Sequence, residues 1–156
     1  DWQRVIAINL TGVYICMKCE LEQMLKQQRG GAIVSTASAA GLIGIPGAAA
    51  YNSAKHGVVG LTKTAAMEYA QDGIRVNCVA PSGIASSGFD TYTPEAKAKI
   101  LEFPPHVPLQ RYGTEAEISS AIVYLLSPAA AYITGGIIPC DGGMSLMGVG
   151  RVGGQG

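Results

Sequence analysis

Tyr51 and Lys55 stand four residues apart in a stretch of helical period, which puts a phenol and an ammonium on one helix face with Cβ atoms about 5–6 Å apart. A cation there favours the phenolate. It draws a group that starts near pKa 10 toward working pH, which a proton donor or acceptor for an alcohol requires. Ser38 adds a hydroxyl just after a predicted strand, at the carboxyl end where open α/β sheets bind ligands. The same Tyr–Lys spacing recurs at Tyr14 and Lys18, but no serine follows a strand ahead of that pair, and it reads as structural.

The elements that must position these groups follow from periodicity. Val5, Ile6, Ile8, Val13, Met17, Leu21, Met24 and Leu25 recur at three- and four-residue steps until Gly30-Gly31 stops them, so 1–28 is a long helix. Residues 32–36 are short, β-branched and almost wholly apolar, as a strand covered on both faces should be. Residues 41–47 form a loop, and 49–71 a second helix that stops at Asp72-Gly73. Residues 74–79 form a second strand. From 81 to 112 five prolines leave a long loop with one short helix, 94–101; a loop of that length is usually a lid or binding loop. Thr114 caps a third helix, 115–126, with Glu117 completing a capping box. A last short strand is read at 136–140. Strands alternating with helices in this way predict an α/β fold with a parallel sheet.

The composition narrows the classes. Among 156 residues, 11 basic and 11 acidic side chains cancel, so nucleic acid is not expected as a partner. Only 14% are charged, against about 25% in ordinary domains, and 48% are hydrophobic, too many for disorder. No apolar run reaches the ~18 residues that span a bilayer, and no signal-peptide pattern opens the chain, so no membrane is expected and the expected location is cytoplasmic. Cys16, Cys19, Cys78 and Cys140, with His56 and His106, lack zinc spacing, and no metal is expected. Cys16 and Cys19 lie mid-helix and are expected to be buried, reduced thiols without redox function.

Several motifs then agree in order and spacing. Ile33-Val34-Ser35-Thr36-Ala37-Ser38-Ala39-Ala40-Gly41, Tyr51-Asn52-Ser53-Ala54-Lys55-His56-Gly57, Ile74-Arg75-Val76-Asn77-Cys78-Val79-Ala80-Pro81, Tyr132-Ile133-Thr134-Gly135-Gly136 and Asp141-Gly142-Gly143 resemble the short-chain dehydrogenase/reductase superfamily, from Asp1 to about Met144. The resemblance implies a Rossmann-like parallel sheet with flanking helices, of which 1–146 is the C-terminal portion with about three strands and three to four helices. It implies hydride transfer between NAD or NADP and a secondary alcohol or ketone. Carried over residue by residue, it makes Tyr51 the acid/base and gives Lys55 the nicotinamide ribose and the lowering of the tyrosine pKa. Ser38 holds the substrate oxygen, and Asn9 anchors a proton-relay water. Pro81, Ser82, Ile84 and Ser86 join Tyr51 and Lys55 against the cofactor, Ile84 by its backbone and Ser86 in place of a threonine. The resemblance also implies a homodimer or homotetramer built through helices 1–28 and 49–71.

Two departures from the family pattern stand out. Ser82 replaces a glycine beside the nicotinamide, where freedom of the backbone could matter. The Gly-rich phosphate loop and the residue that selects NAD or NADP are expected to lie outside this chain. Gly148-Val149-Gly150-Arg151-Val152-Gly153 fits that loop's pattern but sits in a Gly-rich tail, 147–156, with no helix behind it to hold a pyrophosphate. A competing reading is a truncated chain that keeps the catalytic residues without the cofactor half, serving a structural role or none.

Overall fold

The computed structural model describes residues 1–85, 93 and 107–146. The first helix runs in three sections: α1 (Trp2–Ile6), a π-helical turn (Ala7–Thr11) and α2 (Gly12–Gln27). The long helix expected over 1–28 is thus present, with a π turn inside it. The Gly12 amide donates to the Ala7 carbonyl, five residues back, so one turn holds an extra residue that apolar spacing alone does not reveal. Gln28 ends α2 in the left-handed region at φ 52°.

Strand β1 (Gly31–Thr36) follows, then α3 (Ala49–Glu68), a 3-10 turn (Ala70–Asp72) and β2 (Ile74–Pro81). After α4 (Glu115–Leu126) comes a last strand, which pairs with β2 on the side away from β1. All pairings are parallel, as expected, with Gly31 opposite Ile74, Thr36 opposite Val79 and Cys78 opposite Ile137. The sequence reading missed two further strands, β3 (Ile84–Ala85) and β4 (Gly113–Thr114), which pair in parallel and tie together the ends of the 81–112 segment. Two-residue strands carry no periodicity to detect. The last strand is therefore β5 (Ile137–Cys140). The expected helix 94–101, most of the long loop and the tail 147–156 lie outside the described residues.

β2 is the central strand, and its near-continuous apolar run is explained by burial on both faces. On one face, Met17 and Leu21 of α2 and Ala65 and Ala66 of α3 close over Ile33, Ile74 and Val76. Ile74 and Val76 are fully buried, each contributing about 1.5–3 kcal/mol from area removed from water. A second cluster of Ala37, Val58, Cys78 and Ala80 sits nearer the carboxyl ends of the strands, with Leu10 and Val13 packed against it.

On the other face α4 lies over β1 and β2. Its N-terminus has the expected capping box, Thr114 Oγ1 accepting from the Glu117 amide and the Glu117 carboxylate accepting from the Thr114 amide. Its C-terminus is held by a side chain the sequence reading did not single out. The Arg75 guanidinium donates to the carbonyls of Leu125 (2.8 Å), Ser127 (3.2 Å) and Leu126 (3.4 Å), filling acceptors that a helix end leaves open, and to Ile133 O (3.3 Å) beyond it. Asn77, fully buried, donates to Ile133 O and accepts from the Gly136 amide, so β2 pins the Ile133–Gly136 segment before β5 begins. No helix among the described residues is long and apolar enough to cross a membrane.

Candidate active site

Ser38 stands where the chain leaves the sheet. The Ala37 amide still donates to Val79 O at 2.8 Å, as a last rung of the ladder, and Ser38 then turns out in extended conformation to cap a 3-10 turn, Ala39–Gly41. Its hydroxyl accepts from the Ala40 amide at 3.2 Å and donates to Pro81 O at 3.4 Å. The first bond fixes the rotamer. The second is long for a hydroxyl donor, so a better-placed oxygen can displace it.

Tyr51 and Lys55 occupy the first turns of α3. Lys55 is buried, and its Nζ donates to Thr36 O at 3.1 Å while lying 5.5 Å from the centroid of the Tyr51 ring. That is within cation–π range. Burial pulls the Lys55 ammonium below its ordinary range, with the nearby Cys78 sulfur opposing the shift. The Tyr51 ring is 37% exposed and borders an open cavity of about 400 Å³.

Ser38, Tyr51, Lys55, Pro81, Ser82 and Ile84 all line that one cavity, although they come from three separated stretches of sequence. Ser86 lies outside the described residues. Asn9 does not line the cavity; its side-chain amide donates to Val5 O at 3.2 Å, within its own helix. The lining also includes Glu115, Ile118, Ser119 and Ile122, one face of α4 that the sequence reading did not propose. Their helical spacing is visible in the sequence, but the element they face is not.

Ser82 takes no positive φ, so the replacement of glycine strains nothing there. Its hydroxyl instead donates to Asp141 O at 3.1 Å, fastening the loop after β2 to the turn after β5. Asp141 is itself braced. Burial pushes its carboxyl up, but hydrogen bonds from the Ser145 hydroxyl and from the Ser145 and Gly143 amides outweigh this and leave it below its ordinary range. A larger cavity of about 700 Å³ shares Ser82 and Ile118 but is lined by the paired Arg111 and Glu117. The smaller cavity is the one that brings the phenol, the ammonium and the serine together.

Of the second Tyr–Lys pair, Lys18 turns to Glu22 at 3.8 Å and Tyr14 is half exposed on α2. The thiols need correction: Cys16 and Cys19 are exposed, Cys140 is intermediate and only Cys78 is buried. The buried side of α2 is set by Met17 and Leu21, and Cys16 and Cys19 fall outside that stripe.

Residues 1–145 match the family described as enoyl-(acyl carrier protein) reductase. The chain belongs to the short-chain dehydrogenase/reductase family. Among its short-chain dehydrogenase/reductase relatives, a 3-oxoacyl-[acyl-carrier-protein] reductase of Synechocystis sp. is 48% identical over 147 residues, covering 94% of this chain and 57% of the relative. The ligand-free structure of Thermoplasma acidophilum aldohexose dehydrogenase superposes with a TM-score of 0.86 at 32% identity, covering 99% of this chain and 62% of that one. ElxO with NADP bound gives 0.80 at 37% identity, covering 87% and 54%. The chain therefore spans less than two thirds of the length of each of these relatives.

Proposed function

We propose that this chain carries the proton-transfer site of an NAD(P)-dependent oxidoreductase that interconverts a secondary alcohol and its ketone, with Tyr51 as the acid/base. The observation that carries the reading is the convergence of Ser38, Tyr51 and Lys55 on one cavity, with the Lys55 ammonium 5.5 Å from the phenol ring. Family membership and a structural relative with NADP bound support a dinucleotide cofactor, NAD or NADP.

Lys55 suits the ribose of a nicotinamide nucleotide. An ammonium has three donors, and among the described residues Lys55 gives one of them, to Thr36 O, leaving two for sugar hydroxyls. Pro81, Ser82 and Ile84 would bound the nicotinamide, Ile84 through its backbone, with Ser86 beyond them. When bound, the cofactor supplies or takes the hydride. The residues of this chain handle the proton and the oxygen. Ser38 exchanges its long contact with Pro81 O for the substrate oxygen and holds it beside Tyr51. In the reducing direction the Tyr51 hydroxyl gives its proton to the ketone oxygen; in the oxidising direction the same oxygen takes the alcohol proton. The Lys55 charge stabilises the negative charge this leaves on Tyr51.

Asn9 enters at one remove, since its amide is engaged with Val5. A π turn is common at functional sites because it disturbs the usual carbonyl pairing, which suits a backbone that anchors a relay water. Ile8, Tyr14 and Ile15 leave apolar surface exposed on the first helix, which supports assembly as a homodimer or homotetramer through 1–28 and 49–71.

The test is kinetic, on the full-length protein. Tyr51→Phe should lower turnover about 10²- to 10⁴-fold with dinucleotide affinity nearly unchanged, because the hydroxyl moves the proton and the ring only packs. Lys55→Ala should weaken both. Turnover by Tyr51→Phe close to that of the unmodified protein overturns the reading.

A further inference from the structure

We infer that Asn52 is a positioning residue: its side-chain amide clamps the turn carrying Ser38 to the helix carrying Tyr51 and so sets the spacing of those two groups. The inference rests on the reading of Ser38 and Tyr51 as partners in proton transfer, and it adds a residue that neither touches substrate nor lines the cavity.

Asn52 follows Tyr51 directly in the first turn of α3. Its Nδ2 donates twice, to Ala40 O at 3.0 Å and to Ile43 O at 2.7 Å, so both amide protons are spent on the segment that follows Ser38. Ala40 is the link. Its N–H holds the Ser38 hydroxyl at 3.2 Å, while its carbonyl is held by Asn52, so two successive hydrogen bonds join the serine to the residue beside the tyrosine. Ala40, through which both bonds pass, is fully buried.

The other end of the amide shows what the residue is for. Asn52 Oδ1 is buried and has no hydrogen-bond partner. An unpaired buried acceptor is unfavourable, so the side chain is held there by what its donors do. Leucine would fill a similar volume with no orphan oxygen and no grip on the turn. Aspartate would aim a carboxylate at two carbonyl oxygens. Serine has one proton to give and could keep at most one of the two bonds.

Hydrogen exchange and a double-mutant cycle on the full-length protein test the clamp. In Asn52→Leu the amides of residues 40–43 should exchange at least about tenfold faster, because the turn opens locally once its carbonyls are released. Turnover should fall about 10- to 100-fold, as expected for a displacement of about 1 Å at a reacting group, while dinucleotide affinity stays within about twofold. Asn52→Ser should fall between, and it serves as the reporter if Asn52→Leu does not fold. In a Ser38→Ala background, Asn52→Leu should add little further loss, since its effect passes through Ser38. Additive losses would make Asn52 an ordinary structural residue and overturn the inference. Unchanged exchange at 40–43 in both variants would overturn it as well, whatever the chemistry. An active Tyr51→Phe would instead overturn the proton-transfer reading and leave the exchange result standing on its own.

Discussion

Gly41 meets the backbone of Lys55 with no room for a side chain. A Cβ on Gly41 would lie 2.7 Å from the Lys55 carbonyl oxygen and 3.0 Å from its carbonyl carbon. The turn that presents Ser38 is thus packed directly on the helix turn that presents the ammonium, and a helix backbone cannot yield as a flexible side chain would. Gly41→Ala should destabilise the protein by about 1–3 kcal/mol through overpacking. It should also lower turnover more than substrate affinity, because it separates the two halves of the site. Urea denaturation and steady-state kinetics check both, and an alanine variant with unchanged turnover would show that the contact does not set the site.

Arg75 should contribute more to stability than its place on a strand suggests. Replacing it with alanine releases the carbonyls of Leu125, Leu126 and Ser127 from the guanidinium, while Ile133 O keeps its bond from Asn77, and hydrogen bonds from a charged donor are worth about 1.5–3 kcal/mol each, with strong overlap within one side chain. Arg75→Ala is expected to lose about 2–3 kcal/mol on that scale. Arg75→Lys should recover only part, since a point ammonium cannot reproduce a planar fork. Chemical denaturation of the three proteins gives the order.

The acid limb of the stability curve should carry the signature of Glu117. The Arg111 hydrogen bond, followed by those from Thr114, lowers its carboxyl from 4.5 to about 2 in the folded chain. A depressed folded value means the contribution is complete above about pH 4.5 and is lost as pH falls toward 2. Between those limits the urea midpoint of the unmodified protein should drop more steeply than that of Glu117→Gln. Parallel curves across that window would show that the pair with Arg111 adds nothing to folding.

Thiol labelling should follow exposure. Cys16 and Cys19 are exposed on α2 and should alkylate first, Cys140 later, and Cys78 only on unfolding, since burial both shields that thiol and raises its pKa. Brief alkylation with mass spectrometry resolves the four. Assembly through helix 1–28 predicts that Cys16 and Cys19 slow down in the oligomer and quicken on dilution, whereas labelling indifferent to concentration would remove that interface.

The sequence was legible where one residue's chemistry or one element's period sufficed. The capping box at Thr114 and Glu117 and the Tyr51–Lys55 face follow from spacing within a single segment, and the parallel strands around β2 from the alternation of strand and helix along the chain. What the spacing could not give were contacts between segments. The α4 residues that line the Tyr51 cavity, the Arg75 fork at the end of a helix fifty residues away, and the double donation from Asn52 depend on which faces meet. The exposure of Cys16 and Cys19 was misread for a related reason: lying mid-helix says nothing about which side of the helix a residue takes.

The π turn at Ala7–Thr11 gives the first helix two origins. Each residue of an α-helix advances roughly 100° about the axis, so the one extra residue offsets the faces of α1 and α2 by about that angle. Trp2–Ile6 therefore reaches α3 with a different side forward than continuation of the α2 stripe would give. Substitutions can change what each side offers, but only an insertion or deletion can change the offset. Removing a single residue from the turn would restore an unbroken α-helix and rotate α1 away from its seat, a frameshift written in angle instead of codons.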